Sequence, residues 1–452
     1  MPALRRRALV PGQPGPLAAQ PSPLVLPTPG AARPGALLPA DIPLPRPARP
    51  GPRIGYRDVL RVPCARRLLV GTLVGRLPTA MAPLALLVCT VKDRGYGAAS
   101  VLAALYPLAS AAGGPLAGRA VDRYGQPRAF LACAALSSTA LVAVVSGPSR
   151  PGWAETCVLV AGAARPPLES GLRALGGTAP GSVMPSREHQ QTALALDAAA
   201  QEVLYVFGPL MVVVIAVTAS GYGALLATAA LGLASTAVVT GTPVSRSWKA
   251  SPGRLDWLGP VRSARLRILY AAMIGVGMPI GALTPLAVAA GARFRLPVLA
   301  GVLPAVLSTG AVLGGLLYGS RTWPGTPLRH LTVLSAAFTV GWLPLTAARS
   351  PAAAAAAAAV AGLAMAPLLG SAVALTGVLA PHRAVTEAYA LLVAALDVGC
   401  ALGTAAAGLL PAPALLPAGA GAAAAVLVLA RRFLAVADRT PPASCPALEG
   451  VL

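Results

Sequence analysis

Long apolar runs alternate with short polar turns along most of the chain, from about residue 66 to residue 432. A helix needs roughly 20 predominantly apolar residues to cross the hydrocarbon core of a bilayer. Helices suit that environment because all of their backbone hydrogen bonds are made within the segment. Twelve such runs are present, and the pattern therefore predicts an all-α polytopic membrane protein with twelve transmembrane helices.

The basic residues indicate the side of the membrane on which each turn lies, because lysine and arginine concentrate in cytoplasmic loops. If both termini are placed in the cytoplasm, only six basic residues fall in external turns. These are Lys92, Arg94, Arg150, Arg293, Arg295 and Arg349. The other basic residues lie in internal turns, in the tails or inside spans. The sequence therefore predicts that both termini are cytoplasmic.

Composition agrees with a membrane protein and argues against other classes. Charged residues make up 11% of the chain, whereas about a quarter is usual in soluble proteins. The net charge is +22, but aromatic residues make up only 4%, too few for a nucleic-acid stacking surface. The cysteines form no CxxC pair and the histidines lack metal-ligand spacing, so we expect no metal or other cofactor. A membrane-embedded enzyme would need a cluster of His, Asp or Ser side chains, and the sequence shows no such cluster, so we do not expect an enzyme.

The chain divides into five predicted segments. Residues 1–65 are basic and rich in proline and glycine, which predicts a disordered cytoplasmic tail. Residues 66–243 and 267–432 each hold six predicted spans, and a basic cytoplasmic loop at 244–266 links these halves. Residues 433–452 form a second cytoplasmic tail.

The two halves repeat some of the same residues at equivalent places. The matching sets are Gly113, Gly114 and Gly118 with Gly314, Gly315 and Gly319, and Glu202 and Gly208 with Asp397 and Gly403. The glycine sets end spans two and eight, and the acidic pairs lie in spans five and eleven. This correspondence predicts two pseudo-symmetric halves related by an axis along the membrane normal.

The turn between spans two and three carries the clearest motif, GGPLAGRAVDRYGQPR from Gly113 to Arg128. Gly125 suits a turn position that needs a positive φ. The residues Gly118, Asp122, Arg123, Gly125 and Arg128 resemble the loop 2–3 signature of the major facilitator superfamily. That resemblance implies the twelve-helix major facilitator fold and a gating role for this loop. A helix cap is the alternative role for Asp122.

Several charged residues lie inside predicted spans, where charge is costly and usually faces a cavity or a partner. They are Arg76, Arg165, Asp197, Glu202 and Asp397. We expect these residues to form a substrate and proton pathway, since burial moves a carboxyl group toward neutrality near physiological pH. The alternatives are that Arg76 extends to the cytoplasmic interface and that an acid close to an interface is hydrated.

The resemblance implies a secondary active transporter that moves a small molecule by alternating access. Gly208-Pro209 resembles the core of the antiporter motif of drug/proton antiporters and favours proton-coupled efflux. The alternatives are a proton-coupled uptake permease and a membrane sensor or scaffold that transports nothing. The expected partners are the substrate, a proton or other coupling ion and the lipid bilayer. A monomer in a bacterial cell membrane is expected.

Overall fold

The computed structural model describes residues 63–147, 150, 152–168, 187–241, 245, 261–319, 323–380, 385–410 and 412–435. All of them belong to one compact unit, Arg53–Leu452. The predicted tails and the central loop lie mostly outside the described residues, so their boundaries stay predictions.

The described residues form α-helices joined by short turns, without a β-strand. The helices are α1 (Pro63–Tyr124), α2 (Gln126–Val145), α3 (Trp153–Ala163), α4 (Arg187–Thr218), α5 (Gly221–Thr240), α6 (Ala264–Arg293), α7 (Leu299–Gly319), α8 (Pro327–Thr346), α9 (Pro351–Leu379), α10 (Val385–Leu409) and α11 (Leu415–Ala435). Within this part of the chain, nine helices are long and apolar enough to cross a membrane, and α3 is a shorter apolar helix. The all-helical membrane fold is confirmed, and the number of twelve spans stays a prediction.

Local sequence explains where several helices begin. The Ser220 hydroxyl accepts a hydrogen bond from the backbone N–H of Gly223 at 2.9 Å and caps α5. The Ser350 hydroxyl accepts one from the N–H of Ala353 at 3.2 Å, and Pro351 follows as the first residue of α9. Serine satisfies an N–H that the helix leaves unpaired, and proline at the first position has no N–H to satisfy.

The long helix α1 contains two spans, residues 63–94 and 96–124, which we call its first and second legs. Gly95 separates them with φ 76° and ψ 167°. No described residue lies within 4 Å of a Cβ at this position, so the backbone angle alone requires glycine. Beside the turn, Arg94 pairs with Glu155 and Asp93 accepts a hydrogen bond from Tyr222. These contacts hold the turn against the beginnings of α3 and α5.

Gly125 joins α1 to α2 with a single non-helical residue. Its φ is 82°, as the motif predicted, and its N–H donates to the carbonyl of Val121 at 2.9 Å. The carbonyl of Gly125 accepts from the N–H of Ala129 at 3.2 Å. Because one residue makes the whole turn, the second leg of α1 and α2 run in opposite directions.

The helix α3 is shorter than the fourth span that the sequence predicts, which extends to about residue 177. It ends at Ala163, and the residues from Arg165 to Pro167 are not helical. Pro166 and Pro167 have no N–H to donate to the preceding turn, which explains the break. Arg165 therefore lies outside the helix, and the part of the predicted span after Leu168 lies outside the described residues.

The described residues form two large hydrophobic cores, one mainly in each half, and a smaller cluster that includes Phe130 and Leu168. Buried side chains of α1 to α5, such as Met81, Leu102 and Leu225, form the first core. Buried side chains of α6 to α11, such as Met273, Phe338 and Trp342, form the second. Each group of helices buries its own apolar faces, which is the arrangement expected of two halves.

Glycine contacts repeat between these halves. A Cβ at Gly113 would lie 2.2 Å from the carbonyl oxygen of Ala163, so α1 and α3 touch through their backbones. A Cβ at Gly314 would lie 1.9 Å from the carbonyl oxygen of Leu363, so α7 and α9 touch in the same way. Small residues allow this close approach of helices in lipid. The repeat predicted at Gly113 and Gly314 therefore has a packing basis.

We predict that Gly113→Ala and Gly314→Ala each destabilise the protein, by about 1–3 kcal/mol, because the new methyl group overpacks a backbone contact. Thermal unfolding of the detergent-solubilised protein measures the effect. Gly114→Ala is the matched control, since no described residue lies within 4 Å of its Cβ position. Equal effects at Gly113 and Gly114 would contradict the assignment.

Candidate functional site

The two halves meet along two contact lines, which we call the α1–α10 seam and the α4–α7 seam. In the first, a Cβ at Gly408 would lie 2.1 Å from the Cβ of Ser100. In the second, a Cβ at Gly301 would lie 2.8 Å from the carbonyl oxygen of Pro209 and 2.9 Å from Cγ2 of Val213. Glycine therefore allows close contact in both seams.

The two seams are equivalent under the internal repeat. Ser100 and Gly301 are 201 residues apart, which is also the separation of Gly113 and Gly314. Val213 and Gly408 are 195 residues apart, as are the two acids Glu202 and Asp397. The pairs Ser100–Gly408 and Val213–Gly301 thus occupy matching places, with the glycine on α10 in one seam and on α7 in the other.

One cluster of predicted site residues forms across the halves. The Tyr106 hydroxyl on the second leg of α1 interacts electrostatically with Arg165 and with Asp397 on α10. Tyr106 is only 4% exposed, so these charges act where little water screens them. The break after α3 places Arg165 in this cluster, because the chain leaves the helix there.

Glu202 lies in a different environment from Asp397 although the two are equivalent in the repeat. Its Oε2 atom is buried and makes no hydrogen bond to a described residue. Six residues further along α4, a Cβ at Gly208 would lie 2.8 Å from the Cβ of Ala80 on the first leg of α1. Glu202 is thus held on a helix that packs against α1, with one carboxylate oxygen unsatisfied.

Two further residues of the predicted pathway are Arg76, whose side chain is described, and Asp197, whose side chain is not. The Arg76 side chain on the first leg of α1 is buried, at 5% exposure. The neighbouring Gly75 faces Leu168, with Cδ1 2.6 Å from its Cβ position. Asp197 lies on α4, and its side chain lies outside the described residues, so its expected role stays a prediction.

The loop predicted to act as a gate is only partly described. No described residue lies within 4 Å of a Cβ at Gly118. Arg123 and Arg128 are exposed, and the Arg123 guanidinium lies 5.4 Å from the ring centre of Tyr124. The side chain of Asp122 lies outside the described residues, so the structure tests neither the gate nor the helix cap.

Sequence reasoning missed Tyr106 and the seam residues. Tyr106 is a lone aromatic residue in the middle of an apolar run and directly precedes Pro107. That unusual position is a signal that could have identified it. Ser100, Gly301 and Gly408 carry no such signal, because glycine and serine are common throughout these helices and only the fold reveals which of them face the other half.

Long apolar helices, one large core in each half and half-buried charged residues where the halves meet define a multi-pass helical membrane protein. The sequence profile of the Major Facilitator Superfamily matches residues 68–404. The chain belongs to that superfamily, which confirms the resemblance of the loop motif. It is a secondary transporter and not an enzyme, and it carries a small molecule across a lipid bilayer.

Solved structures of transporters share this fold at low sequence identity. The human organic anion transporter MFSD10 (TETRAN) has a TM-score of 0.57 and 15% identity, and the match covers 83% of this chain and 99% of that chain. The nucleoside transporter NupG gives 0.61 and 12%, with 83% and 99% covered. An auto-inhibited POT family peptide transporter gives 0.63 and 12%, with 86% and 99% covered. No curated protein sequence matches the chain.

We predict that Glu202→Gln raises the thermal midpoint of the purified protein at pH 7.5. An unsatisfied buried carboxylate costs folding free energy, and a neutral amide costs less. Glu155→Gln is the control with the opposite sign, since Glu155 pairs with Arg94 and loses that partner. A lower midpoint for Glu202→Gln would show that the carboxylate is stabilised in the folded protein.

Proposed function

We propose that this protein exports a small molecule in exchange for protons, using Glu202 and Asp397 as the acids that respond to the proton gradient. The observation that carries the proposal is the contrast between these equivalent acids. Asp397 interacts with Tyr106, which also interacts with Arg165, whereas one oxygen of Glu202 is buried without a hydrogen bond to a described residue.

An acid with a buried oxygen that lacks a hydrogen bond suits proton uptake and release. The charged form of a buried carboxylate is disfavoured, so a proton on Glu202 relieves the cost of burial. We propose a different role for Asp397. It belongs to the C-terminal half and interacts with Tyr106 of the N-terminal half, so this interaction would change when the halves move. Proton transfer at Glu202 and rearrangement at Asp397 would then alternate within one transport cycle.

Movement of the halves requires that the seams open and close. In alternating access, rigid halves rock around a site near the middle of the membrane. Gly408 and Gly301 bring the halves into contact at equivalent places. We propose that both contacts separate when the site opens toward the external side of the membrane. Gly118, Asp122, Arg123, Gly125 and Arg128 would act on the opposite, cytoplasmic side, as the family motif implies.

Efflux is favoured over uptake by Gly208-Pro209 on α4, which resembles the antiporter motif. The relatives of known structure do not favour one substrate, because their names refer to organic anions, nucleosides and peptides. Uptake coupled to protons is the second candidate function. Location in a bacterial cell membrane, cytoplasmic termini and a monomeric state complete the proposal.

The acids are tested with Glu202→Gln and Asp397→Asn in proteoliposomes, on a substrate found by screening toxic compounds for resistance. We expect at least a tenfold loss of proton-driven transport in each variant, because Glu202→Gln cannot exchange a proton and Asp397→Asn has lost the charge that interacts with Tyr106. Substrate exchange without a proton gradient should persist in Glu202→Gln. Full proton-driven transport in both variants would overturn the proposal. Accumulation in inside-out vesicles separates efflux from uptake.

The α1–α10 seam is tested by adding a methyl group at Gly408 on α10 and removing the side chain of Ser100 on α1. We expect Gly408→Ala to lower transport at least tenfold, because its Cβ would lie 2.1 Å from that of Ser100 and keep the seam from closing. Ser100→Gly alone should be tolerated and should restore transport when combined with Gly408→Ala. If Gly408→Ala transports normally, or if Ser100→Gly fails to rescue it, the seam has no role in the cycle.

A further inference from the structure

The break after α3 leaves irregular backbone inside the helical bundle. Non-helical backbone at membrane depth is tolerated where protein buries it or where it lines a water-filled cavity. Part of the break is satisfied by protein groups. The Ser137 hydroxyl donates to the carbonyl of Ala161 at 2.8 Å, and the N–H of Leu168 donates to the carbonyl of Pro166 at 2.9 Å.

A small cavity adjoins this break. Its volume is about 30 Å³, and it lies between α1, α2, α5 and Arg165. The lining includes the hydroxyl-bearing residues Thr79, Tyr106, Thr228 and Thr236. A cavity needs roughly 10–15 Å³ of water-accessible space, together with polar partners, to hold a water molecule. This cavity therefore has room for water.

One hydroxyl in this lining has no protein partner among the described residues. Thr236 is 1% exposed, and its Oγ1 atom is buried without a hydrogen bond. The Thr228 hydroxyl, by contrast, donates to the carbonyl of Ala224 at 2.8 Å. Buried hydroxyl groups almost always have a partner, counting ordered water, so the Thr236 hydroxyl points to a bound molecule.

We propose that this cavity binds an ordered water molecule, which hydrogen-bonds to the Thr236 hydroxyl and hydrates the Arg165 guanidinium. Thr236 is then a positioning residue for Arg165. Water fits better than an ion. The charge of Arg165 repels a cation, and the charge of Asp397, which interacts with Tyr106 on the cavity wall, opposes an anion. The inference holds whether or not Arg165 takes part in transport.

Two variants distinguish a cavity with bound water from an empty one, because each is expected to lower the thermal midpoint in the first case and to raise it in the second. Thr236→Val keeps the shape of the side chain and removes the hydroxyl. Gly232→Ala adds a methyl group to the cavity wall, with the nearest described atom 3.6 Å from the new Cβ. With water bound, both variants remove hydrogen bonds and should lower the thermal midpoint of the full-length protein by about 2 °C or more. In a dry cavity, both changes should raise the midpoint.

The controls separate the water from local effects. Thr236→Ser retains the hydroxyl and should keep a midpoint near that of the unmodified protein. Gly223→Ala measures the gain of helix propensity on α5 away from the cavity, where the nearest atom is 3.4 Å from the new Cβ. A rise in midpoint for both Thr236→Val and Gly232→Ala, beyond that of Gly223→Ala, would overturn the proposal.

A double-mutant cycle tests the link to Arg165. If the water connects the two side chains, Thr236→Val should lower the midpoint much less in an Arg165→Gln background than in the unmodified protein. An equal loss in both backgrounds would overturn the positioning role. A structure at a resolution that shows ordered solvent should place one water oxygen within about 3.2 Å of Thr236 Oγ1, and an empty cavity there would refute the site.

Discussion

Direct contact between helix backbones is the constraint on which this structure depends. Lipid tails are as apolar as the helix surfaces, so helices in a membrane gain little from the hydrophobic effect and must pack closely instead. Glycine permits that approach at Gly113, Gly314, Gly301 and Gly408. The first two hold helices within a half, and the last two bring the halves together. The same contact thus serves both the rigid parts and the surfaces that must separate.

The two halves use this contact to different extents. In the C-terminal half, Cβ atoms at Gly277, Gly281, Gly399 and Gly403 would lie 1.9–2.3 Å from carbonyl oxygens of the partner helix, so α6 and α10 are closely joined. In the N-terminal half, the corresponding contact of α4 with α1 is made by Gly208 against a side chain. Asp397 therefore stands on a helix that is closely joined to α6, whereas Glu202 stands on a more loosely packed one. This difference explains how equivalent acids have unlike surroundings.

Sequence patterns predicted the apolar helices, the positive φ of Gly125 and the equivalence of Gly113 with Gly314, because hydropathy, turn chemistry and repeats are local properties. They did not predict which glycine of the pair Gly113-Gly114 packs, since that depends on the rotation of α1 against α3. The end of α3 at Ala163 was not predicted, although the sequence shows Pro166 and Pro167, whose missing N–H donors explain the break. The meeting of Tyr106, Arg165 and Asp397 is a property of the assembled halves.

The repeat also shows where the halves differ in chemistry. Ser137 and Ser138 of α2 donate hydrogen bonds to carbonyls of the α3 and α5 helices, both at 2.8 Å. The same offset of 201 residues leads from Ser137 to Phe338 and from Leu141 to Trp342, two rings that pack edge to face with centroids 5.6 Å apart. At equivalent positions, the C-terminal half packs two aromatic rings, whereas the N-terminal half joins its helices by serine hydrogen bonds. The charged residues of the predicted pathway are also distributed unequally, since Arg76, Arg165 and Glu202 lie in the N-terminal half and Asp397 lies in the C-terminal half.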